Sequence, residues 1–108
     1  MDLYIKLKNR SLEMFAIDFS KEMNLVTLSG YFDSSKSDEA KKVFQSTKES
    51  VTVDMSALDF ISSAGVGVLV SAYRDLNAEG KTISLINLKP HIKRVFEISL
   101  LDKFFEIK

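Results

Sequence analysis

Residues Val51 to Tyr73, VTVDMSALDFISSAGVGVLVSAY, change their hydrophobic period partway, and that change limits the folds open to the chain. Val51, Val53 and Met55 alternate with Thr52, Asp54 and Ser56, the two-residue period of a strand with one buried face. Val66, Leu69, Val70 and Tyr73 then recur at helical spacing. Ser62 and Ser63 stand where the helix should begin, so one hydroxyl can cap free backbone N–H groups while the other points to solvent. Asp54 is expected to end the strand and to hold the following loop through backbone N–H groups. The polar corner between strand and helix is the expected functional centre.

The rest of the chain supplies partners for this unit. Met14 to Phe19 and Met23 to Ser29 read as two strands joined through Ser20 to Glu22 as a hairpin, with Gly30 closing the second. Ser34 or Ser35 can cap a helix with Asp38 in its first turn and Ala40, Val43 and Phe44 as its apolar stripe. After the central helix, Gly80 is a stop signal and Thr82 to Leu88 reads as a further strand. Pro90 suits the first position of a last helix whose Ile92, Val95 and Phe96 face inward. Leu100, Leu101, Phe104, Phe105 and Ile107 form an apolar tail, expected to pack on the core as a short helix or strand rather than stay exposed. Leu3, Ile5 and Leu7 alternate like a strand, though an N-terminal arm fits equally.

Strand, strand, helix, strand, helix, strand, helix is the order of an α/β domain in which right-handed crossovers lay parallel strands behind the first hairpin. Alternation in the central strand implies helices mainly on one face of a mixed, mostly parallel sheet of four to five strands. With 108 residues there is room for one domain, residues 1–108, large enough to hold a core without disulfides or metal.

Composition narrows the function classes. Fifteen Lys and Arg balance fifteen Asp and Glu, so no net field draws the chain to nucleic acid or to an anionic membrane. The absence of cysteine removes thiolate metal sites and cysteine nucleophiles and fits a cytoplasmic protein. Charges at Asp2, Lys6, Lys8 and Arg10 interrupt any signal-peptide core, and no apolar run reaches membrane-spanning length. His91 is the one histidine, which argues against a metal site or a Ser-His pair. Ser63 as a hydrolase nucleophile would need a base in reach, and the motif is not Gly-x-Ser-x-Gly. Ser-Ser-Ala-Gly-Val-Gly also lacks the lysine of a phosphate-binding loop. No cofactor is expected.

Asp54-Met55-Ser56 followed by Phe60-Ile61-Ser62-Ser63-Ala64-Gly65-Val66-Gly67 resembles the signature of the STAS family, the anti-sigma factor antagonists. Leu28 to Asp33 is similar to the family's strand end with its Gly and Asp, and Lys89 to Phe105 to its last helix and Leu-Asp-Lys-Phe tail. The resemblance covers Met14 to Lys108 and leaves residues 1–12 as an N-terminal extension. It implies a STAS-like domain that acts by partner-switching. The unphosphorylated form would bind an anti-sigma factor that is also a serine kinase and free what that kinase holds. Phosphorylation, reversed by a phosphoserine phosphatase, would block binding. Residue by residue, the phosphorylated serine is Ser63, with Ser62 as second choice. Where the family often has an acidic residue, this chain has Ser62. That departure keeps open an accessory or scaffold STAS module, binding a protein permanently with an inert serine.

The expected partner surface is Asp33 with Ser62, Ser63, Ala64, Gly65, Val66, Gly67 and Val68. The protein would be a monomer or weak dimer with no contact to nucleic acid or membrane. Each residue also has a plain structural role. Asp33 can form a turn through its side chain, and Ser63 can be a helix cap and no more. Gly65 and Gly67 either leave the first helical turn flat for a partner's approach or allow tight helix-to-strand packing. Val68 and Ala72 lie off the Val66, Leu69, Val70, Tyr73 stripe and are expected to form a small apolar patch on the exposed helix face.

Overall fold

The computed structural model describes residues 14–108; the strand pattern at Leu3, Ile5 and Leu7 and the extension 1–12 lie outside the described residues. Apolar alternation builds β1 (Phe15–Ser20) and β2 (Leu25–Phe32), an antiparallel pair in the register Phe15↔Gly30 to Ser20↔Leu25. Asn24, at φ 49°, closes the hairpin in the left-handed region that Asn tolerates. β3 (Val51–Ile61) lies parallel to β2, β4 (Ile83–Ile86) parallel to β3, and β5 (Glu106–Ile107) parallel to β4. The five-stranded sheet therefore has the order β1-β2-β3-β4-β5, mixed and mostly parallel as expected.

Helices α1 (Ser37–Gln45), α2 (Ser63–Ala78) and α3 (Pro90–Ile98) complete the fold. One core cluster joins Ala40 and Phe44 of α1, Leu69 and Leu76 of α2, and Ile92 and Phe96 of α3 to alternate residues of the sheet. Val26 and Leu28 of β2, Val53 and Met55 of β3, and Leu85 of β4 are those sheet residues, all fully buried. The tail divides. Phe105 packs into the core edge-on to Phe96, with ring centroids 5.7 Å apart, and β5 extends the sheet. Leu100 and Phe104, expected inside, are instead 59% exposed.

Two local expectations need correction. Asp54 does not end the central strand, because β3 runs on to Ile61. The pairing with β4 stops at Asp54↔Ile86, while that with β2 continues through two register shifts. Between Thr27 and Ser29 and between Gly30 and Tyr31, β3 carries one extra residue each time, a bulge that breaks strict alternation. Burial accordingly falls on Met55, Leu58 and Ile61, at intervals of three rather than two.

Gly30, in turn, does not close β2 but sits inside it at φ 82°, where a Cβ would stand 2.2 Å from the Met14 carbonyl oxygen. That close approach goes with the Tyr31 N–H donating to the same carbonyl at 2.9 Å. Gly30→Ala is therefore expected to cost about 2 kcal/mol or more, from left-handed strain plus a backbone clash. Leu69→Ala, at a fully buried position, should cost about 2–5 kcal/mol. Urea unfolding measures both, and a change near zero for either would contradict the packing described.

Candidate functional site

The corner forms where β2 and β3 end together. Phe32 pairs with Ile61, and the Ser62 N–H donates to the Phe32 carbonyl at 2.9 Å, the last rung before the chain turns into α2. Ser62 has extended backbone, φ −89° and ψ 171°, and its hydroxyl accepts the Gly65 N–H at 3.2 Å. It is the N-cap. The Val66 N–H to Ser62 carbonyl bond, 2.9 Å, opens the helical ladder. Ser63 is the first helical residue and is exposed. Of the two hydroxyls, one is used by the backbone and the other faces solvent, as the sequence suggested. Helix geometry leaves the Ser63 and Ala64 N–H groups without intrahelical acceptors, so the mouth of α2 carries partial positive charge.

Asp33 follows Phe32 directly and borders the same corner. Its carboxylate accepts from the Ser35 hydroxyl at 2.6 Å and the Ser35 N–H at 3.0 Å, which caps a short 3-10 turn, Ser34–Lys36, ahead of α1. Neither Ser34 nor Ser35 caps the helix: Asp33 caps the 3-10 turn, and α1 starts after Lys36 with no side-chain cap. An Asp reaches back to the N–H two residues on, whereas the serines already lie within the turn. The Ser35 hydroxyl bond is the main reason Asp33 titrates below the usual carboxylate range, and the Lys36 charge adds to it.

Asp54 is likewise held low, chiefly by the Ser56 N–H at 2.9 Å and further by the Asn87 amide at 3.3 Å. It braces the β3 bulge and the end of β4, a structural role. Because its folded pKa is depressed, what stability it contributes is present above the ordinary carboxylate range and fades as pH falls through the folded value.

The two glycines separate. A Cβ at Gly65 would lie 2.9 Å from both the Phe32 carbonyl oxygen and the Ile61 Cγ1, so this glycine lets α2 sit tight on the strand ends. At Gly67 a Cβ would meet nothing within 4 Å, and the position is exposed. Ala64 and Val66 are half-buried at the corner's edge. Val68 and Ala72 are not on an exposed face: they are 2% and 6% exposed and belong to the core. The helix is rotated from the expected phase, since Gly65, Val68, Leu69, Ala72 and Leu76 are its buried residues. The reason is α1, which packs against α2 and covers the side that periodicity alone assigned to solvent.

Two features escape a reading of the chain by local pattern. Phe60 is 42% exposed and stacks on Tyr31 with ring centroids 5.5 Å apart at 24°. It helps line an open cleft of about 510 Å³ with Ile61, Ser62, Ser63, Val66, Val95 and Ser99. Its signal was an aromatic residue in the outward phase of a strand. The second feature is a clip between β3 and α3. Lys89 pairs with the Asp59 carboxylate, and the His91 Nε2–H donates to the Asp59 carbonyl at 2.6 Å. This occupies His91, whose partner lies 32 residues away where no local pattern could connect them.

A groove between α1 and α2, with Lys41, Lys48, Asp75 and Lys81 among its lining residues, does not include the corner and mixes charges of both signs. Among the described residues no cluster of three or more His, Asp or Glu could hold a metal, and no helix is long and apolar enough to cross a membrane.

Comparison with known proteins agrees with this architecture. The family model described as Mlab, STAS domain matches residues 15–107. An anti-sigma-B factor antagonist of Listeria monocytogenes is 29% identical over 110 aligned positions, covering all of this chain and 90% of that protein. Among solved structures, an anti-sigma-factor antagonist (STAS) domain protein from Planctomyces limnophilus superposes with a TM-score of 0.70 at 14% identity, over 88% of this chain and 90% of that one. The Bacillus cell fate determinant SpoIIAA in its phosphorylated form gives 0.65 at 20% identity, over 88% and 91%. At these identities the structural likeness concerns the fold.

Stability measurements can separate the roles of the paired residues. Ser62→Ala should lose about 1 kcal/mol with its cap, while Ser63→Ala should stay within about 0.5 kcal/mol. Gly65→Ala should destabilise through its clash, and Gly67→Ala should stabilise by up to about 1 kcal/mol. Equal effects within either pair would contradict the geometry.

Proposed function

The chain belongs to the STAS domain family, and on that premise we propose that it is an anti-sigma factor antagonist that works by partner-switching. Unphosphorylated, it binds an anti-sigma factor that is also a serine kinase and releases that kinase's held target; phosphorylation of Ser63 blocks the binding. A phosphoserine phosphatase restores the active form. The protein is a single-domain cytoplasmic regulator with no catalysis of its own. The observation that carries this reading is the division of labour at the corner: Ser62 is spent as the cap of α2, and Ser63 beside it is exposed.

Physics supports a switch at that position. A phosphate brings roughly −1.5 to −2 charges at pH 7. On Ser63 it would stand at the positive end of a 16-residue helix, so the fold tolerates it. A partner surface pressed over the corner does not, because the charge would have to be stripped of water or would face the partner's own carboxylates. Asp33, Ala64, Val66 and Gly67, which border Ser63 or share its helical turns, complete the contact surface. Gly65 serves it from beneath by seating α2, and Val68 supports it from the core.

A pull-down from the source cell with the unmodified protein and with Ser63→Asp tests the proposal, the kinase being expected with the first only. Incubation with that kinase should place one phosphate on Ser63, seen by mass spectrometry. Calorimetry should then show affinity weakened by two orders of magnitude or more, about 2.7 kcal/mol. Phosphate mainly on Ser62, or unchanged affinity, would overturn the mechanism in favour of a permanent binding module. Purified protein should also hydrolyse activated esters no faster than a Ser63→Ala control. His91, the one histidine, has its Nε2–H bonded to the Asp59 carbonyl, and no hydrogen bond joins it to Ser63 among the described residues.

A further inference from the structure

We infer that the cleft beside Ser63 seats an uncharged apolar side chain of the kinase partner, and that this anchor, rather than charge, carries much of the docking affinity. The inference rests on the partner-binding role proposed for the corner and names what the partner must bring to it. Ser63 itself lines the cleft, so a protein whose active site reaches that hydroxyl must lie over the opening. Phe60, Val66 and Val95 provide its apolar walls, Ser99 is also among its lining residues, and none of those residues is charged.

The walls are set before binding. Phe60 is fixed by its stack on Tyr31. Val95 is placed by α3, whose N-terminus is held to β3 by the Lys89 and His91 contacts to Asp59. Such preorganised apolar surface at the centre of an interface is where binding energy concentrates.

Ser99 is flanked in sequence by two exposed apolar residues. Ile98 and Leu100 are 71% and 59% exposed. Leu100 moreover adopts φ 61°, a conformation that favours glycine, yet the chain keeps a large apolar side chain there in solvent. A phosphate on Ser63 would place its charge at the rim of this uncharged cleft, so the modification and the anchor compete for one space.

Titration of the labelled protein with N-acetyl-leucinamide, followed by amide NMR shifts, tests the cleft without any partner. Saturable shifts are expected at Phe60, Val66, Val95 and Ser99. They should weaken at least fivefold in Phe60→Ala and in Val95→Lys, each checked for an intact spectrum, and N-acetyl-lysinamide should not compete. Shifts scattered over the surface, or unchanged in Phe60→Ala, would overturn the inference.

With the kinase captured by the unmodified protein, Phe60→Ala should weaken binding at least tenfold while Lys93→Gln, on the exposed side of α3, leaves it unchanged. Full affinity in Phe60→Ala would equally overturn the inference. If no Ser63-dependent kinase is captured, the switch reading fails on its own, and the leucinamide titration still decides the cleft.

Discussion

The hydrogen bond from the Ser62 N–H to the Phe32 carbonyl is the constraint on which the corner depends. It ends the parallel pairing of β2 and β3 and sets the direction from which α2 starts. The same carbonyl stands where a Cβ at Gly65 would intrude, so the helix can approach only because that residue has none. Phe32 is itself fully buried and packs on Phe15 with ring centroids 4.9 Å apart. The rung is therefore anchored in the core rather than at a loose edge. A backbone bond in such a setting is costly to lose, since neither group can turn to water instead.

From this anchor the two bulges of β3 acquire a purpose. Each extra residue turns the strand and shifts which side chains face the core, so that Leu58 and Ile61 point inward while Phe60 emerges beside the serines. A regular strand would have turned Leu58 outward; the first extra residue brings it into the core, and the second restores Ile61 to the core face and Phe60 to the outer one. The β4 side of this segment has lost its strand neighbour after Asp54, and α3 attends to it through Lys89 and His91 on Asp59. As an exposed pair, Lys89 and Asp59 add little stability. What they add is position, by tying the helix that carries Val95 to the strand that carries Phe60.

Placing two serines at the helix start gives the cap and the exposed hydroxyl to different side chains. Here the Ser62 cap is independent of what happens at Ser63, and the free N–H groups of the first turn favour a negative charge. The exposed position at Gly67 keeps the next turn free of side-chain bulk. A negative charge placed there would leave the fold intact.

The sequence by itself determined the order of elements, the mixed sheet and the place of the strand-to-helix corner, because these follow from local hydrophobic period and from Ser, Gly and Pro at element ends. It also determined that one of Ser62 and Ser63 would cap α2, since any helix start must satisfy its N–H groups. What it could not determine were matters of which surface meets which. Val68 and Ala72 are buried because α1 lies against them, and periodicity gives a helix a stripe but does not say how many neighbours it has. Gly65 and Gly67, alike in sequence, differ because one lies under the Phe32 carbonyl and the other under solvent. Gly30 looked like a strand end, but β2 continues because Tyr31 and Phe32 pair with β3, and glycine is needed inside it because the Met14 carbonyl passes so close. Phe60 and the Asp59 clip join residues brought together by bulges and by pairing across 30 and more positions, distances at which local pattern carries no signal and only the closed tertiary structure decides.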